Sequence, residues 1–362
     1  ECSSQTCTIS QGAFVPGDDD YRCWSELAAK VEEELGRNWS TIMLGSDLYL
    51  GGYDSGSDAC VLPNFSALYT RSFDGNNHTV YGFCHITADS SGFLQADVNS
   101  ISSVAFVDAY VRGDSAGVLG ASLNGEITWN DVSIDSATII GNTVGALAGH
   151  LDATTYGYSS TLSNVTITNS AVIATEVAAA DSVQAGVVAG KGCLSGYGAT
   201  VMISNNTVSA DASITGTTIV SLGGILGVMV NGRNDLPNTY RLSDVSINNA
   251  SSAAEVNIGG FAGLLVEGYS VESLTLAKFG FEGTIVNGTN VGGIFGKVNL
   301  PNTAFVLKNT YYQLVPFSFY SKVFATVLSS STMGNFCGQT LSHLRQLMQW
   351  LAGVNLITGC LY

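Results

Sequence analysis

A six-residue phrase built around two glycines recurs through the middle of the chain and restricts its fold more than any other feature. The copies are Ser115-Ala-Gly-Val-Leu-Gly120, Val144-Gly-Ala-Leu-Ala-Gly149, Ala185-Gly-Val-Val-Ala-Gly190, Leu222-Gly-Gly-Ile-Leu-Gly227, Ile258-Gly-Gly-Phe-Ala-Gly263 and Val291-Gly-Gly-Ile-Phe-Gly296. Their closing glycines stand 29, 41, 37, 36 and 33 residues apart. A constant phrase at uneven intervals means constant structural rungs joined by loops of variable length. Glycine at such positions lets the backbone turn sharply, or approach a neighbouring coil where a Cβ would clash.

Between the glycine phrases runs a second pattern with strand alternation: Asn130-Asp-Val-Ser-Ile-Asp, Ser163-Asn-Val-Thr-Ile-Thr, Ser204-Asn-Asn-Thr-Val-Ser and Ser243-Asp-Val-Ser-Ile-Asn. Val132 and Ile134, Val165 and Ile167, and Val245 and Ile247 fall two apart and share one face, while Ser, Thr and Asp take the other. Further apolar pairs follow at Thr138-Ile-Ile, Ala171-Val-Ile and Thr218-Ile-Val. No copy contains the amphipathic helix that a βαβ unit needs. The expected fold is therefore all-β, a right-handed parallel β-helix or solenoid whose coils bury their apolar faces against each other.

The spacing predicts repeats over 70–310, an N-terminal arm and capping region over 1–69, and a C-terminal capping or assembly segment over 311–362. Each end carries a helix candidate. Over 24–36, Leu27, Val31 and Leu35 recur every fourth residue and Gly36 stops the run; over 340–352, Leu341, Leu344, Leu347, Met348 and Leu351 form a stripe. Such elements would cover the last coils. Residues 1–17 are expected to be an extended arm on a neighbouring protomer. The aromatic run Tyr311–Leu328 is expected to be buried in a capping layer, with an exposed docking patch as the alternative.

Charge narrows the partners. Lys and Arg number 13 against 29 Asp and Glu, a formal net charge of −16. That sign repels nucleic acid and anionic lipid, and no apolar run reaches the ~18 residues of a membrane span; a soluble protein is expected.

The eight cysteines, Cys2, Cys7, Cys23, Cys60, Cys84, Cys193, Cys337 and Cys360, crowd towards the ends and include no Cys-x-x-Cys pair. They point to disulfides in an oxidising compartment rather than zinc ligation, with connectivity left open. Seven Asn-x-Ser/Thr sequons, at Asn38, Asn64, Asn77, Asn164, Asn205, Asn249 and Asn287, point to N-glycosylation on a secretory route. The chain begins at Glu1 without Met, as expected of a mature form whose leader was removed.

The acids of the repeats, Asp131, Asp135, Asp152, Asp181, Asp211 and Asp244, are scattered, and Asp131 and Asp244 read as equivalent turn residues. His78 follows Asp74 in what reads as a turn, and His85, His150 and His343 are isolated. Asp18-Asp19-Asp20 lacks the interleaved spacing of a calcium loop and reads as a solvated acidic segment. No Lys-Ser/Thr follows the glycine phrases, so they are not phosphate loops. No catalytic residue, cofactor or metal site is assigned.

The glycine phrases, preceded by Phe73-Asp-Gly-Asn-Asn-His-Thr-Val80, resemble the GLUG-motif repeat family over about residues 70 to 310. The resemblance implies an extracellular β-solenoid of the kind found in microbial surface and adhesin-like proteins. Sequons and cysteine-bearing ends depart from the usual bacterial pattern and favour a protist or algal filament protein. The function expected is a non-enzymatic structural glycoprotein, a self-associating protomer of a filament, flagellar hair or surface coat. An adhesin or carbohydrate-binding surface protein stands second and a polysaccharide-degrading β-helix enzyme third.

Overall fold

A computed structural model describes residues 6–9, 41–61, 68–95, 98–124, 127–152, 160–177, 180–195, 200–230, 235–236, 239–266, 273–277, 279–299, 304–308 and 311–314. The chain forms two compact units, Glu1–Ala325 and Thr326–Tyr362, and every described residue falls in the first. The helices expected at 24–36 and 340–352 lie outside the described residues, as do Asp18, Asp19, Asp20, His343 and the aromatic run beyond Leu314. Among the described residues each regular element is a strand, and no helix is long and apolar enough to cross a membrane.

One coil runs through Ser100–Val107, Tyr110–Arg112, Ser115–Ala116 and Gly120–Asn124; the next runs through Thr128–Asp135, Thr138–Gly141, Thr143–Gly145 and Ala148–Asp152. Each strand of the second pairs in parallel with its counterpart in the first, so Ile101 lies beside Trp129, Phe106 beside Ile134, Val111 beside Ile139 and Ala116 beside Val144. Repeating this step builds parallel sheets of 17, 8 and 7 strands. The protein is a parallel β-solenoid. Alternation decides which side chains face inward: Val132, Ile134, Val165, Ile167, Val245 and Ile247 are all at most 1% exposed. Aromatic residues fill the first coils, where Phe73, Phe83, Phe93 and Phe106 meet edge to face at centroid distances of 5.2–6.2 Å.

The register moves the frame of the first glycine phrase. Ala116 pairs with Val144 and Gly120 with Ala148, so the counterpart of Val144–Gly149 is the segment 116–121, one residue later than Ser115–Gly120. An earlier, contracted copy, Ser91-Gly-Phe-Leu94, pairs with that coil through Ser91–Ala116 and Leu94–Gly120. Its missing residue and missing closing glycine concealed it. The closing glycines are required for close approach rather than for turning. A Cβ on Gly190 would stand 2.5 Å from the Val144 nitrogen, and one on Gly227 2.6 Å from the Ala185 nitrogen.

The stack also begins earlier and ends later than the repeats predict. Thr6–Ile9 pairs with Thr41–Leu44, which pairs with Ser72–Tyr81, and Tyr311–Leu314 pairs with Phe279–Val286. Ile42 and Leu44 are fully buried in the common core although no glycine phrase accompanies them. Residues 6–9 are thus a strand of the protein's own sheet, which corrects the inter-protomer arm at those positions; the rest of 1–17 lies outside the described residues.

Candidate functional site: the outer corners and the N-terminal clasp

Each coil of the 17-stranded sheet bends at corners where the backbone turns left-handed. At one corner Ser103, Asp131 and Asn164 stack with φ of 53°, 54° and 53°. At a second, Asp108, Ser136, Asn169, Asn205 and Asp244 stack with φ of 56°, 58°, 52°, 53° and 54°. Asn and Asp tolerate this region because their short polar side chains bond locally. The second-corner N–H groups bridge coils: Asp108 donates to the Asp135 carbonyl at 3.1 Å, Ser136 to Thr168 at 3.1 Å, Asn169 to Ser204 at 3.2 Å and Asn205 to Ser243 at 3.0 Å. Asp131 and Asp244 therefore occupy different corners, and their expected equivalence is corrected.

Side chains continue these bridges outside the barrel. Asn205 Nδ2 donates to Asn169 Oδ1 at 2.7 Å, and Asn169 Nδ2 donates to Asp135 Oδ1 at 2.7 Å. Thr168 Oγ1 also donates to Asp135 Oδ1, at 2.5 Å. These donors, Thr168 foremost, hold the Asp135 carboxyl below the usual carboxylate range. Beneath them the fully buried Asn206 accepts from the Ser170 N–H at 2.8 Å and donates to the Ile167 and Ser204 carbonyls, each at 2.9 Å. Both amide hydrogens and the carbonyl oxygen of its side chain thus find partners inside the stack.

The sequon asparagines divide by environment. Asn77, Asn164, Asn205 and Asn287 are exposed and each has a left-handed φ. Asn249 is 5% exposed, and its Nδ2 donates to the Ser251 and Asn287 carbonyls at 3.2 and 3.1 Å. A glycan there would displace at least one of those bonds, and Asn249 serves in the fold as a buried ladder residue. Asn38 and Asn64 lie outside the described residues.

The histidines are placed one by one. His78 Nδ1 lies 3.2 Å from Asp47 Oδ1 of the preceding coil, whereas Asp74 accepts from the Asn76 N–H at 2.8 Å and so closes the turn. His85 is half-buried, its Nδ1 accepts from the Gly92 N–H at 3.0 Å, and desolvation lowers its pKa. His150 Nδ1 lies 3.1 Å from Ser115 Oγ. No group of three or more His, Cys, Asp or Glu residues able to hold a metal occurs among the described residues.

At the first coils an antiparallel hairpin, Tyr53–Asp54 with Ala59–Cys60, is clasped to the solenoid wall. Cys60 is disulfide-bonded to Cys84, with the Cα atoms 5.4 Å apart. The Tyr53 ring stacks on Tyr110 at 3.7 Å and 3°, its hydroxyl donates to Asp58 Oδ1 at 2.7 Å, and Arg112 pairs with Asp58 at 3.3 Å. The hydrogen bond from Tyr53 is the main cause that lowers the Asp58 pKa, with Arg112 adding to it. Tyr49 stacks on its register partner Tyr81 at 4.8 Å and 7°. Of this group only the two cysteines were marked in the sequence; the tyrosines carry no local motif and meet because the bridge folds the hairpin back. Cys193 is 1% exposed, Cys7 lies on the strand Thr6–Ile9, and Cys2, Cys23, Cys337 and Cys360 lie outside the described residues.

No family model matches the chain, and no curated protein is similar to it. A solved structure of a putative immunoglobulin A1 protease from Bacteroides ovatus aligns over 85% of each chain with 15% identity and a TM-score of 0.40.

Proposed function

We propose that the protein is an extracellular structural glycoprotein, a non-enzymatic protomer of a filament, flagellar hair or surface coat. The observation that carries the proposal is the placing of four exposed sequon asparagines, Asn77, Asn164, Asn205 and Asn287, at left-handed turns outside a continuous apolar core. Turns of that kind bring the side chain to the surface, where a glycan extends into solvent. Asn164, Asn205 and Asn287 each donate one Nδ2 bond to a neighbouring coil, to Asp131 Oδ1, Asn169 Oδ1 and the Asn249 carbonyl at 3.1, 2.7 and 3.2 Å, and a glycosylated amide retains one N–H to donate. A disulfide within the first coils suits an oxidising compartment, and a surface with Asn, Ser and Thr ladders suits a molecule in which only 12% of residues are charged. The resemblance to GLUG-motif repeats agrees with a surface location.

Tyr49, 41% exposed and stacked on Tyr81, favours carbohydrate binding as a second reading, because exposed aromatic faces are sugar platforms. Electron microscopy and glycopeptide mass spectrometry of secreted material separate the two. Regular filaments with glycans at Asn77, Asn164, Asn205 and Asn287 support the structural reading; discrete particles that bind glycans through Tyr49 overturn it.

A further inference from the structure

Two tyrosines 57 positions apart in the chain lie ring on ring because of a single covalent detour. Tyr53 pairs with Cys60 across the hairpin, Cys60 is bonded to Cys84, and Cys84 is the strand neighbour of Tyr110. The bridge thus delivers Tyr53 onto Tyr110, at a centroid distance of 3.7 Å and 3° from parallel. Aromatic pairs left to themselves prefer offset or edge-to-face arrangements, so this parallel stack is imposed by the clasp. At that separation carbon atoms of the two rings are in van der Waals contact. Both residues are only partly buried, within reach of an oxidant in solution.

The surroundings favour one-electron chemistry at the pair. A phenol that loses an electron becomes strongly acidic and must release its proton, and the Asp58 carboxylate stands 2.7 Å from the Tyr53 hydroxyl as an acceptor. Arg112, at 3.3 Å, helps keep that carboxylate ionised. Before oxidation, the same hydrogen bond to Asp58 holds the Tyr53 phenol protonated well above its ordinary range.

We propose that Tyr53 and Tyr110 form an intramolecular dityrosine cross-linking site, acted on by an external one-electron oxidant of the peroxidase and hydrogen peroxide class. Each phenol gives up one electron and its hydroxyl proton, the proton of Tyr53 passing to Asp58. The two radicals join through a bond between ortho carbons. The ortho hydrogens then pass by way of solvent to the oxygens, restoring both hydroxyls. Overall the protein loses two hydrogen atoms, and one hydrogen peroxide is reduced to two waters. The product is a carbon–carbon staple in parallel with the Cys60–Cys84 disulfide, and unlike the disulfide it survives a reducing agent. This inference does not depend on whether the protein polymerises.

The test treats the secreted, folded protein with a haem peroxidase and hydrogen peroxide, then reduces and alkylates it before tryptic digestion. Cleavage after Arg37, Arg71 and Arg112 yields the peptides 38–71 and 72–112, which carry the two tyrosines separately. The expected result is a species joining these peptides, lighter than their sum by two hydrogens and showing dityrosine fluorescence. It is lost in Tyr53→Phe and in Tyr110→Phe and kept in Tyr49→Phe. Retention of the Cys60–Cys84 bridge in each variant, read from the unreduced digest, shows that the clasp has folded. Absence of the species in the natural protein, its persistence in a correctly bridged Tyr53→Phe, or cross-links only between molecules would each overturn the proposal.

Discussion

At the scale of single residues, glycine is used in this protein for two unrelated reasons, and they separate experimentally. Gly190 has ordinary backbone angles but no space, since a Cβ there would meet the Val144 nitrogen at 2.5 Å. Gly216 has a φ of 75° and nothing within 4 Å of an added Cβ. Gly190→Ala is expected to cost about 2 kcal/mol through overpacking against an immovable backbone. Gly216→Ala is expected to cost about 1 kcal/mol through left-handed strain alone; thermal or denaturant unfolding of both variants reads the difference. Asp135 offers a pH test. Its folded pKa is depressed by Thr168 first and then by Asn169 and Ser136, so its contribution is complete above the unfolded value of about 4 and is lost as pH falls through the lower folded value. Asp135→Asn should lower stability at neutral pH by about 1 kcal/mol and flatten the acid limb of the stability curve by that group's share. At the sequons, glycopeptide analysis should find Asn249 bare, because its amide is spent inside the stack.

At the scale of elements, the clasp is the part whose removal has the most local consequence. Replacing Cys60 and Cys84 by Ser should cost about 3 kcal/mol in the chain-entropy account. It should also raise hydrogen exchange in Tyr53–Cys60 and Cys84–Ile86 before it does so in later coils; equal deprotection along the whole stack would mean that the bridge serves more than the hairpin. The strands themselves were largely legible. Period-two alternation identified the inward faces of Val132, Ile134, Val165, Ile167, Val245 and Ile247, all buried as expected. What the pattern left ambiguous was which corner of the coil a given phrase occupies. Ser163–Thr168 runs through the first corner, whereas Ser204–Ser209 pairs with the segment 168–173 at the second. Both corners present a small polar residue, an Asx residue and an apolar alternation, so local chemistry is the same and only long-range register distinguishes them. The tyrosine pairs were illegible for a related reason: each contact exists only after the coils have stacked.

At the scale of the whole molecule, the coils form one continuous apolar core from Ile42 to Ile285. In such an array stability is approximately a sum of coil and neighbour terms, so entire coils are removable if the register is kept. Val104 lies beside Val132, and Ala105 beside Ser133. Deleting residues 105–132 joins Val104 directly to Ser133 and brings two outer coils together in phase. The shortened protein is expected to keep its β-rich circular dichroism and unfold at a lower temperature; loss of folded signal would mean that the phenylalanine cluster around Phe106 is an indispensable nucleus. Length varies unevenly around the coil. Between the 7-stranded and 8-stranded sheets just two residues intervene at Gly145–Ala148, Gly186–Ala189, Gly223–Leu226, Gly259–Ala262 and Gly292–Phe295. From the 8-stranded sheet back to the 17-stranded one, the gap varies from the one residue between Gly192 and Leu194 to the twelve between Val266 and Phe279. The glycine arch therefore acts as the spine of a ring binder: pages of different widths hang from it in phase, and a lineage carrying this fold can rewrite one margin without rebinding the book.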